Sequence, residues 1–272
     1  MFCGIIGWMW EIYDALIDGM AREPRVDDSF MGEYLTMVRS GNSVGLAMTL
    51  HDSTRPAMLD LPSDDPACGG IALRELAAAA KSWNLAEASL GMAAINAYWN
   101  SPERPLAAEA LERGDTEAFS AWKSRVAGKK VAVIGHFFNL EQTLGGVCDL
   151  SILEKRPGPG DYPDSAAEFL LPESDFVFAT GVTFTNKTLP RLLELSRAAT
   201  FILAGPSVPL APPLFDWGIR DIHSLVITEP ELCSAILRET PGSFQNGERP
   251  SARLLRAGKR VNIQTAGAVW RV

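Results

Sequence analysis

The sequence predicts an α/β protein in which a Rossmann-like, doubly wound parallel sheet follows a smaller α+β domain. From Lys129 onward, short continuous apolar runs alternate with helical segments, which is typical of parallel strands covered on both faces. Before that point, the pattern indicates one helix, a strand pair and further helices. The charge divides in the same region, because residues 1–126 carry 10 basic and 18 acidic side chains whereas residues 127–272 carry 15 of each.

We therefore expect residues 1–105 to form the α+β domain and residues 106–127 to form a helical connection. Residues 128–242 would be the Rossmann-like domain, and residues 243–272 a basic C-terminal extension. All charged residues from Arg249 onward are basic. For this tail, a solvated helix or an intramolecular contact with the acidic front half is expected rather than a contact with phosphates.

Composition excludes several classes of protein. The chain of 272 residues is 47% apolar and 21% charged, which suffices for a buried core without disulfides. The net charge of −8 argues against nucleic acid as a partner.

No apolar stretch reaches the length of about 18 residues that a membrane span requires. Acidic residues follow the apolar start where a signal peptide would carry basic ones, so we expect a cytoplasmic protein. The four cysteines are widely spaced, and we expect them to be free or buried thiols; they are Cys3, Cys68, Cys148 and Cys233.

The front half is predicted element by element. Apolar residues recur at three- and four-residue steps from Ile5 to Met20, which predicts an amphipathic helix that packs on the core or, in a homodimer, on a partner subunit. Two strands are expected around the turn-forming Ser40-Gly41-Asn42, and a long loop follows them. The predicted elements are strands at Tyr34–Arg39 and Val44–Leu50, a loop at Asp52–Gly70, and helices at Ile71–Ser82, Leu85–Trp99 and around Leu106–Trp122.

The second half alternates strands and helices. The predicted strands are Val131–Ile134, Leu150–Leu153, Phe176–Ala179, Thr200–Leu203 and Leu225–Ile227. The predicted helices are Leu140–Gly145, Ser165–Leu170, Asn186–Ser196, Leu214–Trp217 and Pro230–Arg238. In a sheet of this kind, ligands bind at the carboxyl ends of the strands, where the strand order reverses. The residues that follow each predicted strand are therefore the candidate site.

The turn after the first of these strands argues against an ordinary dinucleotide site. Gly135 lies where the first glycine of a dinucleotide fingerprint would lie, but His136 and Phe137 follow it and the other two glycines are missing. Glu154 ends the second strand, where a ribose-binding carboxylate would be. A ligand with a nucleoside but no cradled pyrophosphate, such as S-adenosylmethionine, stays open.

Three further turns carry unusual residues. Prolines and glycines after the second strand predict a stiff loop, which is either a rigid turn or a turn that shapes a ligand site. Hydroxyls and an amide after the third strand favour an anion or a carboxylate, with Thr185 or Asn186 expected to cap the next helix. The candidate ligand-binding residues in these turns are Pro157, Gly158, Gly160, Asp161, Thr180, Gly181, Thr183, Asn186, Thr188, Gly205, Pro206 and Ser207.

No nucleophilic triad or zinc signature is present, because the three histidines, His51, His136 and His223, share no metal-binding spacing. His223 is expected to be structural. His136 follows the first strand and is open to roles as general base, metal ligand or donor to a loop carbonyl. If the protein is an enzyme, its acid–base candidates are His136, Glu154 and Asp161.

Five motifs together resemble an uncharacterised family described as a heavy-metal chelation domain. They are Leu90–Ala97, Val133–Phe137, Glu154–Asp161, Thr180–Thr188 and Gly205–Leu210, and the resemblance covers roughly residues 12–239. It implies an enolase N-terminal-like domain before the Rossmann-like domain, with a ligand bound between them and Asn96 beside the Rossmann loops. The alternative for Asn96 is an amide that caps a neighbouring loop.

Two functions follow as hypotheses. The first is a binding protein that holds a small anionic ligand, a metal ion or a metal chelate in the cleft between domains. Oxygen donors dominate the motifs and suit hard cations better than soft heavy metals, whereas a metal chelate would need fewer ligands from the protein. The second is an enzyme that uses a nucleoside-containing cofactor such as S-adenosylmethionine or acts on a small carboxylate.

Overall fold

The computed structural model describes residues 5–51, 55–56, 69–114, 117–239 and 253–265, with side chains from residue 10 onward. Within them lie ten α-helices, four short 3-10 helices and ten strands, and the predicted helix Leu214–Trp217 is part of the 3-10 helix Pro212–Trp217. The helices are α1 (Ile5–Asp18), α2 (Leu73–Ala77), α3 (Leu85–Trp99), α4 (Pro105–Arg113), α5 (Ala118–Val126), α6 (Leu140–Leu144), α7 (Ala167–Leu170), α8 (Val182–Thr185), α9 (Leu189–Leu195) and α10 (Pro230–Glu239). The strands are β1 (Asp28–Met31), β2 (Leu35–Ser40), β3 (Ser43–Met48), β4 (Lys130–Ile134), β5 (Asp149–Glu154), β6 (Tyr162–Pro163), β7 (Phe176–Thr180), β8 (Thr200–Ala204), β9 (Ile219–Ile227) and β10 (Gly258–Gln264).

The front half forms an antiparallel sheet, β1-β2-β3, covered by helix α3. The alanine-rich α3 is buried on nearly all sides, and the Asn84 side chain caps its start by accepting bonds from two backbone amides. A glycine lets α3 approach β3 closely, since a Cβ on Gly45 would lie 2.0 Å from the carbonyl oxygen of Ala93. The small residues of α3 therefore set the spacing between helix and sheet.

The second half forms a seven-stranded sheet in the order β10-β9-β8-β7-β4-β5-β6, and each neighbouring pair is parallel except β9 with β10. With β4 counted as the first strand, the parallel part has the order 3-2-1-4-5-6 of a Rossmann fold, so the predicted fold class is confirmed. The chain leaves β4 on one side to form β5 and returns on the other to form β7. The order therefore reverses between β4 and β7.

Several element predictions need correction. Strand β9 begins at Ile219, so the predicted Leu225–Ile227 is only its end. The predicted helix at Asn186–Ser196 begins later, at Leu189, and the short α8 precedes it. The solvated helix expected of the basic tail is wrong for residues 258–264, which form strand β10 beside β9. Most of the predicted loop at Asp52–Gly70 lies outside the described residues, as do Cys3 and Cys68.

The two sheets share apolar core. Helix α1 packs on the chain itself, because Ile12 and Leu16 are buried and the Tyr13 hydroxyl donates to the Phe184 carbonyl at 2.7 Å. A second cluster joins β2 and β3 to β9 and α10, and its members are Leu35, Met37, Val44, Leu46, Leu225, Ile227, Cys233, Ile236, Leu237, Leu254 and Ala257. Cys148 and Cys233, the two cysteines in the described ranges, are free thiols. Across the described parts of the chain, no helix combines the length and apolar character that a membrane crossing needs.

Candidate functional site

A cavity of about 1060 Å³ lies at the carboxyl ends of β4, β5, β7 and β8, where the strand order reverses. Its other wall comes from the front half, through Tyr34, Leu35, Met48–His51 and Leu85. Parallel strands that diverge from a reversal point leave a crevice between their following turns. The strand ends at which the site was predicted therefore border a cavity that residues of both halves line together.

The structure brings most of the predicted ligand-binding residues to this cavity. Those on its wall are Gly135, His136, Phe137, Glu154, Thr180, Thr183, Asn186, Thr188, Gly205 and Pro206. Those that it does not place on the wall are Asn96, Pro157, Gly158, Gly160, Asp161, Gly181 and Ser207. Asn96, Gly181 and Ser207 pack behind the wall, and Asp161 contacts His136.

Asn96 lies on the face of α3 that packs on the first sheet, fully buried, and its side-chain amide donates to the Leu46 carbonyl at 2.7 Å. Ser207 connects the two halves, because its hydroxyl accepts a bond from the Met48 amide at 2.9 Å. Gly181 fits against the same turn, and a Cβ there would lie 2.6 Å from the carbonyl carbon of Ser207. These contacts lie behind the cavity wall and join α3, β3 and the turns after β7 and β8.

The three acid–base candidates form one network. Glu154 accepts a bond from the His136 backbone amide at 2.7 Å through Oε1 and from the Lys155 amide at 3.0 Å through Oε2. The ring of His136 has Asp161 at 3.3 Å from Nδ1 and Glu141 at 2.9 Å from Nε2. Asp161 also accepts a bond from the Gly158 amide at 2.9 Å, so the stiff loop after β5 holds the carboxylate that contacts the histidine.

The turn after β4 is not arranged to bind a pyrophosphate. The backbone amide after the first glycine is a group that a pyrophosphate would need, and here the Glu154 carboxylate already occupies it. Gly135 has a φ of +97°, and a Cβ there would lie 2.9 Å from Cγ2 of Thr180. The glycine therefore permits close packing of the turns after β4 and β7, and the Glu154 charge would repel a phosphate beside it.

The polar residues after β7 are largely bonded to one another. The Thr183 hydroxyl donates to the Thr180 carbonyl at 2.7 Å, and Oδ1 of Asn186 accepts bonds from the amide and hydroxyl of Thr188 at 3.1 and 2.6 Å. The expected helix cap at Thr185 or Asn186 is wrong, because Thr185 lies within α8 and the residue preceding α9 is Thr188.

Lys187 lies within the motif Thr180–Thr188 but is not among the residues predicted for the site. It lies on the cavity wall, is only 6% exposed, and its φ of +64° falls in the left-handed region. Its Nζ donates to the Thr185 carbonyl at 2.8 Å, and burial lowers its pKa from the ordinary 10.5 to about 7. The only signal in the sequence is a lysine within a run of threonines that contains no acidic residue.

A second buried polar group lies away from the cavity, in β9. Asp221 accepts bonds through Oδ2 from Trp122 at 2.7 Å, His223 at 2.9 Å and Gln264 at 2.7 Å. Burial raises the pKa of Asp221, but the bond and charge of His223 and the bonds from Gln264 and Trp122 outweigh it, so that the pKa lies below its ordinary value. The network ties α5, β9 and β10 together, which agrees with a structural role for His223.

The described residues contain no group of three or more His, Cys, Asp or Glu side chains arranged to hold a metal ion. Two acidic side chains on the cavity wall already have partners: Glu154 accepts bonds from backbone amides, and Glu168 accepts a bond from Arg191 at 2.9 Å. Two of the carboxylates on the wall are therefore already bonded to other groups of the protein.

Comparison with known proteins assigns the chain to a family. A family model described as "Putative heavy-metal chelation" (DUF364) matches residues 117–253, and a second with the same description (DUF4213) matches residues 13–99. An uncharacterised protein of Methanocaldococcus jannaschii is 32% identical over 235 residues, which are 80% of this chain and 85% of that protein.

Two solved structures are also similar. A DUF364-family protein with unknown function from Desulfitobacterium hafniense has a TM-score of 0.80 and 41% identity, over 95% of this chain and 99% of that one. A DUF364-family protein from Pyrococcus horikoshii has a TM-score of 0.76 and 22% identity, over 94% and 99%, and shows the likeness of the fold. From these matches in sequence and structure, the chain belongs to the DUF364 family described as "Putative heavy-metal chelation".

Proposed function

We propose that the chain binds a small organic ligand, and specifically a metal chelate, in the cavity between its two sheets. The observation that carries the proposal is the cavity itself, of about 1060 Å³ and walled by residues from both halves of the chain. Ligand pockets for small molecules measure about 300–1,000 Å³ and combine apolar walls with a few polar groups. Thr180, Thr183, Asn186 and Thr188 supply such groups at the reversal point.

A chelate fits the wall better than a bare ion does. The described residues hold no ready set of metal ligands, and Glu154 and Glu168 are already bonded. In a chelate, the organic molecule fills most of the coordination positions of the metal ion, so the protein needs to bind only the organic molecule. Hydroxyl, amide and backbone groups are suited to that, and Lys155 and Arg156 at the end of β5 add positive charge for an anionic chelate.

The test compares matched variants by isothermal titration calorimetry. Thr180→Val removes a hydroxyl from the cavity wall, whereas Thr200→Val removes one from the opposite end of the neighbouring strand. The probes are Ni²⁺, Co²⁺, Cu²⁺ and Zn²⁺, each alone and as its citrate, histidine or nitrilotriacetate complex. We expect a chelate to bind, free ions to bind poorly, and Thr180→Val to weaken binding about tenfold while Thr200→Val leaves it unchanged.

Two results would contradict the proposal. One is tight binding of a free ion with one site per chain. The other is a panel in which every chelate leaves both the heat of titration and the unfolding temperature unchanged.

One observation favours a second candidate, an enzyme that uses a nucleoside-containing cofactor such as S-adenosylmethionine. Glu154 ends β5, the second strand of a Rossmann order, and lies in one network with His136 and Asp161, the other acid–base candidates. Each Glu154 oxygen can still accept a bond from a ribose hydroxyl. Calorimetry with S-adenosylmethionine and S-adenosylhomocysteine tests this, and saturable binding that Glu154→Ala abolishes would support it.

We also propose that the protein acts in the cytoplasm and that its domains have the boundaries expected from the sequence. A homodimer through α1 remains a proposal, and the burial of Ile12, Tyr13 and Leu16 within the chain limits the surface that α1 can offer. Sedimentation equilibrium of the full chain tests it, because a single species of 29.5 kDa would exclude a stable dimer.

A further inference from the structure

Lys187 is a buried lysine for which the described residues provide no counter-ion. It is 6% exposed, and its Nζ has one bonded partner, the Thr185 carbonyl at 2.8 Å. Among the described residues, no carboxylate lies within ion-pair distance of it. Two carboxylates on the cavity wall are committed to other partners: Glu168 pairs with Arg191, and Glu154 binds backbone amides. Burial alone lowers the pKa of Lys187, without a contribution from Asp164, the third carboxylate on that wall.

The fold places this lysine at a cost. Its φ of +64° lies in the left-handed region, which is unfavourable for a side chain other than glycine or asparagine. Burial of an amine beside apolar surface disfavours its charged form, and here it lowers the pKa to about 7. The phenol of Tyr13 on α1 donates to the carbonyl of Phe184, three residues before Lys187, and burial raises its pKa, so that it adds no negative charge there.

Burial of this kind benefits only some kinds of chemistry. A lysine that binds an anion works best when it is charged, and an exposed lysine is charged at neutral pH. A lysine that acts as a nucleophile needs the free lone pair, and desolvation without a neighbouring carboxylate provides it. The position of Lys187 on the wall of the cavity therefore favours a nucleophile over an anion anchor.

We propose that Lys187 is a nucleophile that forms an imine with the carbonyl group of a small ligand in the cavity. This rests on the proposal that the cavity binds a small organic ligand, and it adds a covalent step that a metal chelate does not require. An aldehyde or a 2-oxo acid has the required chemistry, and the hydroxyls and amides of Thr183, Asn186 and Thr188 lie on the same wall to hold its remaining polar groups.

The step balances without an oxidant or a reductant. The Nζ lone pair adds to the carbonyl carbon while the C=O π pair moves to oxygen, and an amine proton passes to that oxygen through water to give a carbinolamine. The C–O bond then breaks, the second amine proton leaves, and the oxygen departs as water as the C=N bond forms. Amine and carbonyl thus give imine and water.

The test traps the imine on the full-length protein. Wild type, Lys187→Met and Lys123→Met are incubated near neutral pH with pyruvate or with propanal and sodium cyanoborohydride, and the modified peptides are located by mass spectrometry. Lys123 is exposed on α5, away from the cavity, and serves as the matched control. Because the pKa is about 7, Lys187 holds about a thousandfold more free amine than an ordinary lysine at that pH, so it should dominate early labelling.

Among the lysine side chains we expect one reduced adduct, on Lys187, which Lys187→Met loses and Lys123→Met keeps, with the fold of each variant confirmed by its unfolding transition. The α-amino group, whose ordinary pKa is about 8, reacts in all three proteins and is left out of the comparison. Labelling spread equally over the exposed lysines would overturn the inference. So would pyruvate that protects Lys187 from acylation by acetic anhydride but leaves no reducible adduct, because Lys187 would then bind an anion. Chelate binding without any adduct would overturn this inference alone and leave the proposed function standing.

Discussion

Replacement of Lys187 by methionine should change how stability depends on pH. In the folded chain the pKa of Lys187 is about 7, against an ordinary 10.5. Between these values the unfolded chain binds a proton that the folded chain does not, so the free energy of unfolding of the wild type rises with pH. Above pH 10.5 the lysine is neutral in both states, so its burial costs no free energy for loss of charge. As pH falls through 7, the folded chain must bury the charged amine, and the full cost in the free energy of unfolding is reached. Methionine fills similar space and does not titrate.

The magnitude follows from the width of this interval. Each pH unit contributes about 1.4 kcal/mol, so the full penalty reaches about 5 kcal/mol. Between about pH 6 and pH 9, the difference in the free energy of unfolding between Lys187→Met and the wild type should therefore shrink by about 3 kcal/mol. Urea unfolding at a series of pH values measures it, with Lys123→Met as a control that should stay parallel to the wild type. A constant difference between wild type and Lys187→Met across that range would refute the reasoning, because Lys187 would then not be desolvated.

Three further substitutions test other parts of the structure by urea unfolding. Gly45→Ala should destabilise the chain by about 3 kcal/mol or more because its Cβ would overlap the backbone of α3; a loss below about 1 kcal/mol would show that α3 can shift freely. Ser207→Ala should cost about 1 kcal/mol by leaving the Met48 amide without its acceptor, and an unchanged stability would rule out that contact. Asp221→Ala should cost about 3 kcal/mol or more, since three buried donors lose one acceptor, and the wild type but not the variant should lose that contribution as pH falls.

The predictable part of the fold was the part with a strong apolar signal. The central strands β4, β5, β7 and β8 are buried on both faces and appear in the sequence as continuous apolar runs. The missed strands β1, β6 and β10 lie at sheet edges, where no such run is required. In β10, Val261 and Ile263 alternate with polar residues, but the basic neighbours obscured this period of two.

The position of the cavity was predictable because it follows from topology, whereas the contacts of the residues around it were not. Gly135 indicated a turn at the end of β4, but its contact with Thr180 depends on packing between distant parts of the chain. The glycines and prolines after β5 suggested a ligand site, and in the structure their loop positions Asp161 beside His136. Burial of a lysine is likewise a property of the whole fold, so Lys187 could not be selected from local sequence.

The apolar cluster shared by the two sheets also determines how a ligand can reach the cavity. Many two-part binding proteins admit their ligand when two bodies swing apart about a hinge. Here such a swing would carry Met37 and Leu46 away from Ile227 and Leu254 and expose apolar surface, at a cost of about 25 cal/mol per Å². We therefore expect the walls to keep their spacing, so that the rate of entry is set by side chains at the mouth, such as Phe138, which is 66% exposed.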